Sequence, residues 1–249
     1  MLKTSALIAA FALTTGTASA QDWSGFYLGG NVSTSSGESE ADVVTGGQWS
    51  IEGALRPAFE DLMSTTLDPE GTGFGVQGGY LHEYPSQVVI GAELGYSYLD
   101  VDDARMLPQT ATSFGPSPTY APVNTIEAEG QFNIRGSLGY DFNPLLAYLT
   151  LGYSTADATA TTEVLSSGGY SKAGEESGWV HGLSYGAGAA IRLGNAWSIR
   201  LEYARTEYED MVYDTEYRAG STFTSPEYTE TITQTLELDT FQLGVNFHF

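Results

Sequence analysis

The sequence predicts an all-β protein, an eight-stranded antiparallel transmembrane β-barrel with short turns at one end and long loops at the other. Three observations support this prediction. Apolar residues alternate with glycine and small polar residues in about eight segments, and aromatic residues are plentiful, with 16 Tyr and 11 Phe. No segment after residue 20 is apolar for long enough to form a membrane helix. Alternating faces average out in a hydropathy window, as they do in a barrel that spans a membrane.

Residues 1–20 are predicted to be a secretory signal peptide, and residues 21–249 the barrel domain. The first stretch contains a lysine at position 3, an apolar run over 6–13 and alanines at A-x-A spacing that end at Ala20. This pattern is typical of a signal peptide, and the run is far shorter than the roughly 20 apolar residues of a membrane anchor. We therefore expect an exported chain.

The predicted strands follow one another along the mature chain, and each has one apolar face and one small or polar face. In order, they are WSGFYLGGNVS from residue 23, GFGVQGGYLHEY from 73, VVIGAELGYSYL from 88, EGQFNIRGSLGYDF from 129, LLAYLTLGYSTA from 145, HGLSYGAGAAIRL from 181, AWSIRLEYARTEY from 196 and FQLGVNFHF from 241. The third segment is the clearest, because an apolar residue occupies every second position from Val88 to Tyr98.

The connections between these strands alternate in length. The short ones are YPSQ, DFNP and LGNA, which contain the Pro, Asn and Gly of tight turns. The long ones cover about 34–71, 100–126, 156–178 and 207–234 and hold most of the acidic residues. We expect them to be polar, mobile surface loops that protease can cut. This alternation is typical of outer-membrane barrels, whose chain termini lie at the periplasmic, short-turn end.

Composition and charge exclude several classes of function. The chain has no cysteine, so it can form no disulfide, iron–sulfur cluster or thiolate metal site. It has 9 basic and 31 acidic residues, a formal net charge of −22 at pH 7. Such a surface repels nucleic acid and suits divalent cations. No cofactor is expected.

Polar residues on the inward faces are predicted to form a network that fills the lumen: Glu93, Arg135, Arg200, Glu202 and Gln77. Glu93 and Arg135 lie at similar heights on neighbouring strands, and Arg200 with Glu202 forms a second such set. An unpaired charge in a narrow lumen is costly, so we expect pairing and further hydrogen bonds with Gln77, Tyr27 or Asn246. The alternative is a narrow ion path lined by the same charges.

The three histidines give little support to an enzyme. His82 is predicted near a short turn, His181 near the outer rim and His248 in the lumen, and no two of them share a strand. No serine lies two residues from His181 on its outward face, as a lipid-deacylating site would need. We therefore predict no catalytic or metal site. A lipid-modifying enzyme is kept as the third possible function, after a structural barrel and a narrow channel.

Residues 178–211 and 22–33 resemble the small outer-membrane β-barrel family of Gram-negative, especially alphaproteobacterial, surface proteins, which is OmpA-like or opacity-like. The matching residues are Gly178, Trp179, Gly182, Gly186, Gly188, Asn195, Trp197, Leu201, Glu202 and Tyr203. The family often has an acidic residue where this chain has Ala190. The resemblance implies a porin-like surface antigen of the cell outer membrane. The fold of this family is used for anchoring, adhesion, narrow channels and lipid enzymes.

The last segment alternates strictly, which predicts a lipid-facing stripe of Phe241, Leu243, Val245, Phe247 and Phe249. The family resemblance implies that this terminal aromatic strand is the signal read by the barrel-assembly machinery. Phe247 and Phe249 also suit the aromatic girdle at the periplasmic interface.

The function that we expect is structural and interfacial: envelope integrity and surface contact or adhesion by a monomeric barrel with a plugged lumen. Partners are outer-membrane lipid and lipopolysaccharide, with divalent cations bridging to the acidic stretches at 100–103 and 207–211. A narrow channel for ions or small solutes is the runner-up.

Overall fold

The computed structural model describes residues 22–194, 196–223 and 228–249. The predicted signal peptide, and Asn195 of the family motif, lie outside the described residues. The strands are β1 Gly25–Gly47, β2 Thr65–Leu67, β3 Glu70–Glu83, β4 Val88–Met106, β5 Thr110–Thr112, β6 Gly115–Asp141, β7 Leu145–Ser166, β8 Ser171–Leu193, β9 Trp197–Tyr208, β10 Met211–Asp214, β11 Glu216–Tyr217, β12 Tyr228–Gln234 and β13 Glu237–His248. A 3₁₀ helix, Gln48–Ile51, precedes helix α1, Leu55–Met63. No described helix is long and apolar enough to cross a membrane.

The long strands pair in a closed antiparallel ring. Neighbours along the chain pair in the order β1, β3, β4, β6, β7, β8, β9 and β13. β13 then pairs with β1, from Tyr27 opposite His248 to Glu38 opposite Glu237, which closes the ring. Among the described residues, this ring passes through eight strands. The predicted antiparallel barrel is confirmed.

The outward faces of the ring carry two aromatic belts. The belt at the short-turn end contains Phe26, Tyr80, Tyr140, Trp197 and Phe249, and the other contains Phe74, Tyr98, Phe132, Tyr203 and Phe241, all of them exposed. Most of the exposed large side chains between the belts are Leu, Val and Ile. We call this part of the ring the membrane-spanning section, because apolar bands flanked by aromatic girdles face lipid in barrels of this kind.

The prediction that the four long connections are loops is wrong for most of their length. β1 extends to Gly47, β4 to Met106 and β7 to Ser166, while β6 begins at Gly115 and β8 at Ser171. These extensions, together with β2, β5 and β10 to β12, form a second tier beyond the outer belt, which we call the distal section.

The distal strands are difficult to distinguish from loops in sequence because their polar residues face outward. In β1, Glu40 and Asp42 are exposed, whereas Ala41 and Val43, which follow them in turn, are buried in the interior. The same alternation continues in β7, where Ala156, Ala158 and Ala160 are buried. Period-two alternation is therefore preserved in β1 and β7, but the small inward residues and acidic outward residues are those of a strand in water rather than in lipid.

Helix α1 fills the interior of the distal section. Its residues Leu55, Ala58, Phe59 and Met63 are buried, at the helical spacing that places them on one face. The remaining core is apolar and comes from the surrounding strands, with Val101, Ile126, Tyr213, Ile232 and Leu236 among its buried members. The molecule is therefore apolar outside and polar inside in the membrane-spanning section, and polar outside and mainly apolar inside in the distal section.

Candidate functional site

Four charged side chains meet inside the membrane-spanning section. Glu93 on β4 lies opposite Arg135 on β6, and the Arg135 Nη2 atom is 2.5 Å from Glu93 Oε1. The Arg200 Nη1 atom is 2.5 Å from Glu93 Oε2, and Arg135 Nη1 also pairs with Glu202 Oε1. All four residues are buried, and their formal charges sum to zero. The narrow lumen therefore holds one connected ion cluster whose charges compensate one another.

Two tyrosines complete the cluster. The Tyr27 hydroxyl donates to Glu93 Oε2 at 2.6 Å, and the Tyr148 hydroxyl donates to Glu202 Oε2 at 2.9 Å. Each carboxylate is thus bound by both an arginine and a phenol, which satisfies its buried oxygens. Tyr148 was not predicted as a site residue, although the alternation of its strand places it inward.

Two details of the predicted network are different. Arg200 and Glu202 do not form a separate set: both project inward from β9, and their ion pairs cross the lumen to Glu93 and Arg135. Gln77 lies in a neighbouring polar row, where it accepts from Asn31 Nδ2 at 2.6 Å and donates to Asn246 Oδ1 at 2.8 Å. Gln77 is thus bound to other amides rather than to the ion cluster.

The short-turn end is closed by the segment that precedes β1. Trp23 is buried, its backbone N–H donates to Glu83 Oε2 at 2.8 Å, and the Arg192 guanidinium lies over its ring at 4.6 Å. Ala190, where the resembling family often has an acid, belongs to the small apolar cluster around Trp23. A cavity of only about 40 Å³ separates this cluster from the ion cluster. That space suffices for a few water molecules.

The distal core closes the other end. Trp49 stacks on Phe59 of α1 with ring centroids 4.2 Å apart, and Tyr120 meets the same Phe59 edge-on at 4.8 Å. Phe59 has no exposed surface. The interior beyond the ion cluster is thus packed, with apolar side chains around Phe59 and with a buried row of hydrogen-bonded side chains, Asn124, Thr162, Tyr213 and Gln234.

A second buried ion pair holds the distal section together. Lys172 Nζ on β8 is 2.5 Å from Glu230 Oε2 on β12, and both side chains are almost completely buried. Glu230 also accepts from Trp49 Nε1 and Thr215 Oγ1, each at 2.5 Å, and from the Tyr170 hydroxyl. Burial, and then the charge of Glu230, raise the pKa of Tyr170, so it remains a donor at neutral pH. This carboxylate of β12 thus links the 3₁₀ helix before α1 to β8, to the turn between β7 and β8, and to the residue between β10 and β11.

The final strand has the predicted faces. Phe241, Leu243, Val245 and Phe249 are exposed on the outside of the ring, and Phe247 is half-buried beside Trp197 and Phe249. The alternate residues of this strand, Gln242, Asn246 and His248, are buried in the lumen.

The three histidines have separate neighbours in the structure. His82 is exposed beside Tyr84, His181 stacks outward on Tyr153, and His248 shares a hydrogen bond of 2.9 Å with Ser198 in the lumen. Within the described parts of the chain, no group of three His, Cys, Asp or Glu side chains is placed to hold a metal ion.

This geometry can be compared with known proteins. The family profile described as "Outer membrane protein beta-barrel domain" matches residues 5–249. The chain belongs to this family. The predicted location in the cell outer membrane and the predicted family are confirmed, and the acidic distal section lies on the side that barrels of this kind turn away from the periplasm.

Individual proteins are also similar. The chain is 30% identical over 200 residues to a 22 kDa outer membrane protein of Rhizobium leguminosarum bv. viciae, a match that covers 78% of this chain and 69% of the relative. Among solved structures, it is similar to the outer membrane protease OmpT from Escherichia coli, with 8% identity, a TM-score of 0.46 and coverage of 90% of this chain and 97% of that one. It is also similar to the outer membrane protein OprG from Pseudomonas aeruginosa, with 13% identity, a TM-score of 0.44 and coverage of 92% and 97%. Likenesses of this strength carry no argument about activity.

Proposed function

We propose that this protein is a structural surface barrel of the outer membrane, which contributes to envelope integrity and surface contact or adhesion and conducts no ions. One observation supports the proposal: the lumen is filled by side chains at two heights, by charged ones at the first and mainly by apolar ones at the second. The ion cluster around Arg135 fills the membrane-spanning section, and the core around Phe59 fills the distal section. A hydrated ion would have to displace both, and the apolar side chains around Phe59 offer it no ligand.

Reconstitution into a planar bilayer tests this function. We expect no conductance steps from the purified protein, while a porin of known conductance inserted under the same conditions shows that insertion can be detected. Reproducible steps whose size changes in Glu93→Gln would identify the runner-up, a narrow channel lined by the lumen charges, as the correct function.

The third alternative, a lipid-modifying enzyme, needs a separate measurement. Mass analysis of lipid A from cells with and without the protein should give identical acylation patterns. A shift in mass that depends on the protein would show that it is an enzyme.

We further propose that lipopolysaccharide contacts this barrel through divalent cations. Acidic side chains face outward in a double row directly beyond the outer aromatic belt: Glu38, Glu70, Asp100, Asp102, Glu207, Glu237 and Asp239. Arg205 pairs with the last three of them. This row lies at the height where lipid phosphates are expected, and hard cations bridge carboxylate and phosphate oxygens. Phosphate and carboxylate would otherwise repel each other.

The Asp100→Asn/Asp102→Asn double variant tests the cation bridge. It should lose most of the calcium-dependent retention of the barrel on immobilised lipopolysaccharide. The matched control is Asp61→Asn/Glu216→Gln, which makes the same change in charge at exposed sites of α1 and β11. Equal retention of the two double variants would contradict a specific role for this row.

The final strand is proposed to be the signal for the barrel-assembly machinery. Phe249→Asp places a carboxylate beside the headgroups, at a cost of about 0 to 1 kcal/mol, so refolding into detergent should succeed. Assembly in cells should fail much more severely, because the terminal aromatic is then missing from the signal. Leu243→Asp lies nearer the bilayer midplane, where a charge costs roughly 2 kcal/mol or more, and should harm both.

Both variants are therefore refolded in detergent and also expressed in cells. Normal cellular assembly of Phe249→Asp would show that this residue serves interface packing only. Normal refolding of Leu243→Asp would contradict the lipid-facing assignment of its stripe.

A further inference from the structure

A cavity opens at the tip of the distal section, where all four distal connections meet. Its volume is about 220 Å³. The lining residues on which the argument depends are Trp49, Glu52, Tyr120, Tyr170, Phe223 and Tyr228. Five of these six side chains are aromatic, although they come from four separate parts of the chain.

The aromatic walls are held in place before any ligand arrives. Trp49 is fixed from below by its stack on Phe59 and meets the ring of Tyr228 edge-on at 4.9 Å. Tyr170 packs edge-on against both Trp49 and Phe223, at 6.1 and 6.0 Å. Rings that are already ordered lose little conformational entropy when a ligand binds.

The charge of the cavity is negative. The half-buried Glu52 carboxylate lies in its wall and accepts from the Tyr228 hydroxyl at 2.7 Å. Glu230 lies beneath the wall, where Lys172 neutralises it. Burial, and then the charges of Glu52 and Glu230, raise the pKa of Tyr120 to about 12, so its hydroxyl adds no negative charge of its own at pH 7. The net unpaired charge of the lining is therefore that of Glu52.

We propose that this cavity binds a small organic cation that presents a quaternary or alkylated ammonium group. Aromatic faces attract such a cation through their quadrupoles, and a carboxylate in the wall adds a charge contact that an uncharged ligand cannot use. The volume lies below the roughly 300 to 1,000 Å³ of sites for drug-sized molecules, so the ligand must be small. A trimethylammonium group has the size and charge that this lining would recognise.

Titration with two isosteric probes tests the proposal. Choline and its uncharged carbon isostere, 3,3-dimethylbutan-1-ol, have the same shape and differ in charge. The refolded full-length barrel is titrated by calorimetry in a polyoxyethylene detergent, because phosphocholine detergents would themselves compete. We expect saturable binding of choline, at least about tenfold tighter than that of the isostere.

A pair of matched variants assigns the binding to this cavity. Glu52→Gln keeps an acceptor for Tyr228 but removes the charge, and should weaken choline binding about five- to tenfold. Glu175→Gln, an exposed carboxylate of β8, should leave it unchanged. Thermal unfolding midpoints equal to that of the wild type show that both variants are folded. Equal affinity for the two probes, no saturable binding of choline, or loss of affinity in both variants would each overturn the proposal.

Discussion

Charged side chains are buried at two places in this barrel. One lies inside the section that is surrounded by lipid, and the other inside the section that is surrounded by water. The cluster of Glu93, Arg135, Arg200 and Glu202 fills the membrane-spanning section, and the pair of Lys172 and Glu230 ties the distal section together. In both places, removing one partner leaves the other buried without compensation, which costs more than the intact pair contributes.

Glu93→Ala should destabilise the barrel much more than Glu38→Ala. The first change leaves Arg135 and Arg200 without their shared carboxylate and should cost on the order of 3 kcal/mol. Glu38 is exposed on the outer face of β1, and its loss should cost about zero. Urea unfolding of both variants from the same detergent measures the difference, and equal midpoints would contradict the pairing.

Glu230→Ala provides the same test for the distal section. It leaves Lys172 buried and should lower the free energy of unfolding by about 3 to 5 kcal/mol. The matched control is Glu163→Ala, whose partner Arg218 is largely exposed, so the expected loss is about 0 to 1 kcal/mol. Similar losses in the two variants would mean that burial of the Lys172–Glu230 pair has no energetic consequence.

The residue scale also shows how far sequence reasoning extends. Alternation within a strand places Glu93 and Arg135 inward, and the matching heights of neighbouring strands bring them together. It could not predict that Arg200 and Glu202 pair across the lumen, because side-chain reach decides that choice. The Lys172–Glu230 pair could not be predicted for a different reason: both residues lie in polar segments whose sequence resembles that of loops.

At the scale of elements, the strands were easier to predict than their lengths. The membrane-spanning parts alternate large apolar with small polar residues, a contrast that is visible in sequence. In the distal parts the inward residues are often as small as Ala156 and Ala158, so the contrast with the outward Thr and Glu is weak. Helix α1 did leave a signal, since Leu55, Phe59, Leu62 and Met63 recur at helical spacing.

Docking of α1 should depend on pH through Glu60. Burial alone would raise the pKa of this carboxyl. The Thr45 hydroxyl and N–H donate to it at 2.6 and 3.0 Å, and Arg56 pairs with it. These contacts outweigh the effect of burial, so the pKa is lowered. A carboxyl whose pKa is lower in the folded state than in the unfolded state stabilises the fold at pH values above its unfolded-state pKa. This stabilisation is lost as the pH falls through its folded-state pKa. We therefore expect α1 to loosen as the pH falls below about 4.

A nitroxide label on α1 measures this loosening. The chain contains no cysteine, so Asp61→Cys gives a single exposed labelling site on the helix. Label mobility should rise on acidification in the otherwise wild-type chain and change much less in Glu60→Gln. The same acid response with and without Glu60 would exclude this carboxyl as its cause.

At the scale of the whole molecule, one continuous barrel has a section whose surface suits lipid and a section whose surface suits water. The membrane-spanning section buries charges and presents apolar side chains to lipid, whereas the distal section buries a core around α1 and presents acids to water. The reversal occurs within the continuous ring strands β4, β6, β7 and β8, and β6 passes it with a register shift between Ala128 and Gly130, so the two sections support each other. A distal section of this kind also explains why the surface is a folded body rather than a set of mobile loops.

Hydrogen exchange read by mass spectrometry tests this account most directly. Peptides that cover 39–47, 120–128 and 156–164 should exchange at least about a thousandfold more slowly than an unstructured chain, which corresponds to an opening free energy of about 4 kcal/mol. The connection at 113–114, between β5 and β6, serves as the fast reference. Complete exchange of the distal strands at the rate of that connection, with protection confined to the membrane-spanning strands, would contradict the account.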